Sequence, residues 1–170
     1  MPSARQSGGT WTVGGSGALK ARLFCGLLDG QGRVPFGGLC AGAAGNIGTL
    51  ATPLPPSVGN TAFRFEGSGF SPSTLMFLAM GFQPQFPTFQ IPGTAGCYQS
   101  TDASVTVVGF SGAGDVRSSS PYGHVQFDLP LPTSPAFVGL YFSAQLAGLD
   151  AGSTAAVPFT TSNAMQVTLF

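Results

Sequence analysis

One histidine, His124, and six carboxylates (Asp29, Glu66, Asp102, Asp115, Asp128 and Asp150) are the groups from which this sequence could build acid–base chemistry. A serine hydrolase holds a histidine between an acid and a nucleophilic serine. Asp115, Asp128 and Ser118–Ser120 lie near His124 along the chain, but no Gly-x-Ser-x-Gly nucleophile turn accompanies them. His124 reads as a residue on the wet face of a strand. A glycosidase sets two carboxylates across a cleft. Here Asp29, Asp115 and Asp150 fall in turn sequences, and Glu66 alternates beside Arg64 as on a solvated face. A calcium site made of loop Asp and carbonyl oxygens would be favoured by Asp-x-Asp-x-Asp-Gly spacing, which is absent. The residues therefore predict no catalytic group, no metal, no cofactor and no enzyme.

The three cysteines are Cys25, Cys40 and Cys97. No Cys-x-x-Cys pair occurs and no histidine stands beside any of them, which argues against zinc. Cys40 and Cys97 both sit in Gly-rich, loop-like surroundings. A bridge between them would close a loop of about sixty residues, worth about 4 kcal/mol in the chain-entropy model. Cys25 lies on the apolar side of a strand-like stretch, where a buried free thiol is expected. A Cys25–Cys40 bridge is the alternative, and an odd cysteine in an exported chain also permits intermolecular pairing.

The 170 residues carry six basic and six acidic side chains, 7% charged, against about 25% in ordinary soluble domains. Arg5, Lys20, Arg22, Arg33, Arg64 and Arg117 are scattered, so no cationic patch exists to neutralise nucleic-acid phosphates. No apolar run approaches the roughly 20 residues of a membrane-spanning helix. With 43% hydrophobic residues the chain is too apolar for a solvated coil. Its polar surface must come from 17 Ser, 15 Thr and 9 Gln. Such a hydroxyl- and amide-rich surface points to an extracellular or cell-surface location. Met1–Thr10 is polar, so a removed leader or a piece of a longer chain is expected; cytosolic residence is the third reading, and the composition argues against it. Zero net charge with 15 Phe removes the self-repulsion that keeps molecules apart.

Frequent Gly and Pro leave two weak helix candidates, Ser71–Met80 and Ala144–Asp150. Period-two alternation is the commoner pattern. It sets Leu19, Ala21, Leu23 and Cys25 on one face; likewise Phe63 and Phe65, Val105 and Val107, Val125, Phe127 and Leu129. The sets Leu140, Phe142, Ala144 and Leu146, and Met165, Val167 and Leu169, follow the same rule, with Tyr141, Ser143, Gln145, Gln166 and Thr168 on wetter faces. Turns are expected at Asp29–Gly32, Gly67-Ser68-Gly69, Ser111–Asp115 and Leu149–Ser153. Pro53–Pro56 and Gln83–Pro92 read as loops or edges, because proline cannot donate to a ladder. The expected fold is all-β: an antiparallel β-sandwich of Ig-like or jelly-roll-like size with little or no helix. The terminal strand Gln166–Phe170 should be docked.

Two segments invite contact with a partner. Phe82, Phe86 and Phe89 occupy a Pro-punctuated stretch that either caps the core or forms an exposed apolar strip. Thr10-Trp11-Thr12-Val13, or Leu19, Ala21 and Leu23, could complete a neighbour's sheet by strand addition. The expected partners are copies of this chain or a neighbouring surface protein, with no nucleic acid and no membrane span. Glycan binding is the rival, although Trp11 is the sole Trp and Tyr98, Tyr122 and Tyr141 are dispersed.

From Phe36 onward a series of motifs occurs in order. Phe36–Gly42 is followed by Pro53–Pro56, Val58-Gly59-Asn60, Phe63-Arg64-Phe65 and Gly67–Pro72. Leu75–Gly81, Gly96-Cys97, Phe127–Pro130, Pro135–Gly139, Phe142–Gln145 and Thr161–Ala164 come after. This order resembles a Gly/Pro-rich C-terminal module of large secreted or surface proteins of planctomycetes and related bacteria. The resemblance spans about residues 36–170. It implies export, a β-sandwich-like domain and a Cys40–Cys97 bridge, and it implies no catalytic residues. Residues 1–35 lie outside it, as an N-terminal β extension or the end of a preceding domain, and it gives Cys25 no role. The function expected is a non-catalytic structural or interaction protein, a self-assembling surface or filament subunit. A carbohydrate-binding or cell-surface attachment and sorting module of a larger secreted protein is the alternative.

Overall fold

Alternating side chains on consecutive extended residues bury one face, and here those faces meet in an antiparallel β-sandwich. The computed structural model describes residues 4–7, 10–13, 32–94, 96–112 and 123–170. Its strands are β1 (Ala4–Ser7), β2 (Thr10–Val13), β3 (Arg33–Phe36), β4 (Thr49–Ala51), β5 (Arg64–Phe70) and β6 (Leu75–Gly81). They continue as β7 (Pro84–Gln90), β8 (Tyr98–Thr101), β9 (Val105–Phe110), β10 (Gly123–Asp128), β11 (Tyr141–Leu149) and β12 (Phe159–Thr168). A single 3-10 turn at Pro135–Phe137 is the one helical element among the described residues.

Five strands form the larger sheet in the order β3-β12-β11-β6-β9, and three form the facing sheet in the order β10-β5-β4. Every pairing is antiparallel. Between the sheets lies one apolar core. The smaller sheet supplies Leu50, Phe65, Phe70, Val125 and Phe127; the larger supplies Met76, Leu78, Ala144, Leu146, Met165 and Val167. Phe63 and Phe65 meet edge to face at 5.5 Å, and Phe65 meets Phe142 at 6.2 Å. The inward sides of β10 and β12 are those the alternation assigns. The chain end is docked as well: Leu169 is buried, Val58 N–H donates to Phe170 O (2.9 Å), and Thr168 N–H donates to Gly32 O (2.7 Å).

Both helix candidates are strands. Leu75–Met80 belongs to β6 because it is packed on both faces: Met76 and Leu78 enter the core, while Phe77 meets Phe159 edge to face on the opposite side at 6.1 Å. A run buried on both faces loses its alternation and cannot be told from a buried helix by period. Ala144–Asp150 lies largely in β11, held between β6 and β12, and its small residues permit close approach. A Cβ on Gly148 would stand 2.8 Å from the Met76 sulfur.

Gly67-Ser68-Gly69 does not reverse the chain. It carries an irregularity inside β5, where Gly123 faces Phe70 and Val125 faces Gly67, so β5 holds one extra residue. Gly69 has φ +80°, and a side chain there would strike Ile47 O. A positive-φ glycine serves turns and bulges equally. Gln83–Pro92 is mostly strand β7, paired with β8 in a separate two-stranded ribbon. Both strands of such a ribbon are edges, which is where proline is tolerated. The five-stranded sheet takes in Arg33–Phe36, ahead of the expected start at residue 36.

Two substitutions check which face is inside. Leu146→Ala should cost about 2–5 kcal/mol, the usual loss for an aliphatic core deletion. Val107→Ala, at an exposed position of β9, should change stability by no more than about 0.5 kcal/mol. Urea unfolding followed by far-ultraviolet circular dichroism reads both.

Candidate interaction site

The polar residues of β11 do not face water. Ser143 and Gln145 are buried, and β8 of the ribbon covers them. Gln145 Oε1 accepts from Ser100 N–H (2.9 Å), while its Nε2 donates to Tyr98 O (2.9 Å) and Ser162 O (3.0 Å). The amide thus stands in for a strand residue, accepting and donating as a neighbouring backbone would. Ser143 and Thr101 share a hydroxyl hydrogen bond of 2.8 Å beside it. Close contact needs Gly37 opposite Ser100, since a Cβ there would overlap the serine side chain. The ribbon is also tied covalently: Cys40 and Cys97 form a disulfide, with Cα atoms 4.9 Å apart and the two residues 57 positions apart in sequence. Thr161 N–H donates to Cys40 Sγ at 3.2 Å.

A second amide works in the opposite direction. Asn163, on β12, accepts from Leu50 N–H (3.0 Å) and donates to Leu50 O (3.1 Å), docking β4 of the smaller sheet. Arg33 donates to Thr52 O just beyond β4. One lateral side of the sandwich is therefore laced shut by polar groups from the larger sheet.

The other side is open. Among the described residues no strand pairs with the outer edge of β9 or of β10. Val105 and Val107, expected to be inward, are 50% and 40% exposed; Val108 is 57% and Phe110 70% exposed. The facing sheet is too narrow to cover them. Gly109 is overlain closely, by the Phe127 ring. At one end of this side, Met80, Phe82, Val105, Leu129, Leu140 and Phe142 line a cavity of about 210 Å³. No polar side chain lines it. It is smaller than the roughly 300–1,000 Å³ of small-molecule sites and fits one or two apolar side chains. The signal for this edge is in the sequence: Val107-Val108 puts apolar residues on both faces of a strand, as alternation with one solvated face would not.

Of the expected strip, Phe82 and Phe89 are both more than half exposed, but only Phe82 borders the cavity. Phe86 lies in β7, and its side chain is outside the described set. Thr10–Val13 forms β2 and pairs with β1 in a hairpin that shares no sheet with the sandwich. Leu19, Ala21, Leu23 and Cys25 lie outside the described residues, as do Asp29, Asp115 and Ser118–Ser120. His124 is half-buried on β10, with Nδ1 buried and unpartnered. Asp128 accepts from Gln126 (2.7 Å), and Glu66 pairs with Arg64 (2.7 Å), so neither carboxylate is directed to a histidine. Among the described residues no three His, Cys, Asp or Glu side chains cluster for a metal. No helix there is long and apolar enough to cross a membrane.

Asp102 caps the turn beside Phe82. Its carboxyl is held below the usual aspartate range chiefly by the Ser104 hydroxyl (2.7 Å), against partial desolvation and with help from backbone N–H groups including Gln83. The carboxylate occupies the space where a side chain at Gly81 would begin, so that position excludes a Cβ.

Two outcomes follow from this geometry. Removing the bridge with Cys40→Ser and Cys97→Ser together should lower stability by about 4 kcal/mol, read from the shift in denaturant midpoint. Asp102, with a folded pKa below its unfolded value near ~3.9, adds stability above that value and loses it as pH falls through the folded one. An NMR titration should give Asp102 a midpoint below that of free aspartate, and Ser104→Ala should raise it.

Set against known proteins, the chain matches no family model, no curated protein and no solved structure.

Proposed function

We propose that this chain is a non-catalytic structural subunit that assembles with copies of itself by β-strand addition at β9. The supporting observation is the exposed β9 edge, with four large apolar side chains on show beside a cavity of side-chain size. Long, apolar edges of this kind pair with other chains unless they are blunted by charge or proline. β9 carries neither. The donor is the N-terminal region of a neighbour. Each strand of the β1–β2 hairpin keeps one edge unused within its own two-stranded sheet, so β2 can add to β9 without losing its present partner. An incoming apolar side chain would then fill the cavity. A head-to-tail contact that does not close on itself gives an open polymer, which suits a surface layer or filament.

An extracellular or cell-surface location belongs to the same proposal. A disulfide persists in oxidising compartments, and the Cys40–Cys97 bridge supports export. So does the resemblance to the surface-protein module. Glycan binding gains nothing from the cavity, whose lining has no polar side chain to meet sugar hydroxyls.

Light scattering on the native, full chain tests this reading. The unaltered chain should show a mass well above 17.2 kDa that rises with concentration. Val107→Lys, which places a charge on the edge, should reduce it to a monomer with unchanged circular dichroism. A chain that stays monomeric at all concentrations would sink self-assembly and favour an attachment module of a larger protein.

A further inference from the structure

Asp150 is a carboxylate with only 4% of its surface exposed and, among the described residues, no basic side chain in an ion pair with it. It sits at the end of β11, where Ala43 N–H donates to Oδ2 and Gly152 N–H donates to Oδ1 (3.2 Å). An ionised carboxylate offers about four acceptor sites, so two backbone donors leave it under-coordinated. Buried charge of this kind is stable only when paired, hydrogen-bonded or bound to a metal.

Asn46 faces the same point. It is also 4% exposed, and its Oδ1 is buried with no hydrogen-bond partner. The amide cannot be turned to relieve this, because Nδ2 donates to Gly69 O (2.8 Å) and a half-turn would set Oδ1 against that carbonyl. Both oxygens press on one side of Gly42, close to each other: a Cβ built there would lie 2.5 Å from Asn46 Oδ1 and 2.8 Å from Asp150 Oδ2. Two acceptors, one of them charged, thus converge with the Ala43 N–H as the single donor to Oδ2 and none to Asn46 Oδ1 among the described residues. A hollow of about 600 Å³ borders Asp150 together with Ser71 and Thr74, and another of about 420 Å³ borders Gly42, Ala43 and Ser153.

We infer that Asp150 and Asn46 form a site for a hard divalent cation of the calcium type. Calcium takes six to eight oxygens at about 2.3–2.6 Å, mixing carboxylate, amide carbonyl and water. The protein contributes the carboxylate and the amide oxygen, and water from the hollows completes the shell. With a single carboxylate the site is weak, in the millimolar range typical of extracellular modules. The bound ion ties the loop around Gly42–Asn46 to the end of β11 and, through Asn46, to the β5 bulge at Gly69.

Thermal melting of the full chain, stripped with chelator and held at constant ionic strength, tests the assignment. Calcium at about 10 mM should raise Tm by about 3–6 °C. Asp150→Asn should abolish that shift. Asn46→Asp, which adds a second carboxylate, should lower Tm without calcium and enlarge the calcium-dependent rise. No shift in either the unaltered chain or Asn46→Asp would mean that water alone bridges the oxygens, and the site would be rejected. A shift undiminished in Asp150→Asn would place the ion elsewhere and reject it equally. Should Asp150→Asn fail to fold, Asn46→Asp decides: an enlarged rise sustains the site, and an unchanged one overturns it.

Discussion

Two primary amides, Gln145 and Asn163, answer the constraint that shapes this domain. Over residues 143–146 and 160–165, strands β11 and β12 inside the larger sheet are covered on both faces, so the polar groups there must find partners inside the protein. Each amide presents one acceptor and one donor pair to the backbone of another layer: Gln145 to the ribbon, Asn163 to the smaller sheet. Truncating either would strand a buried backbone N–H, which is dearer than the hydrogen bond itself contributes. The domain consequently has two interiors of different character. One is built of Phe, Leu, Met and Val; the other is a layer of hydroxyls and amides around Ser143, Thr101 and Ser100, with the disulfide at its margin.

This division explains how a chain with so few charges is arranged. The amide and hydroxyl side chains that should solubilise it are partly spent inside. The lateral side laced by Asn163 and Arg33 is finished, whereas the β9 side presents Val105, Val107, Val108 and Phe110 with no strand paired beyond them among the described residues. Contact and closure are thus segregated to opposite flanks. An assembly grown through β9 would leave the Asp150–Asn46 oxygens and the ribbon as separate features of each repeating unit.

The sandwich was legible where one strand face meets the core and the other meets water. Phe63 and Phe65, Val125 and Phe127, and Met165, Val167 and Leu169 all obey that pattern. It failed where the second face is also covered. Ser143 and Gln145 alternate with apolar residues as a wet face would, and nothing local distinguishes water from a polar third layer. The run at Leu75–Met80 failed for the complementary reason, since both its faces are apolar. Gly67-Ser68-Gly69 carries the glycine that a turn needs, but a bulge needs it too. The Asp150–Asn46 juxtaposition joins residues more than a hundred positions apart through the bulge and a loop, and spacing along the chain carries no trace of it.

The strand order has a consequence for how the chain comes into being. β12, twelfth of these strands in chain order, lies between β3 and β11, and its Asn163 holds β4. Neither β3 nor β4 can gain its β12 contacts until residues 159–168 have been synthesised. Most of the sheet's pairing spans long sequence separations, a pattern associated with slow folding. A chain emerging N-terminus first therefore lacks these contacts until β12 appears, with Cys40 and Cys97 already made but the β12 residues beside them, Phe159 and Thr161, still missing. Closing the larger sheet waits on β12.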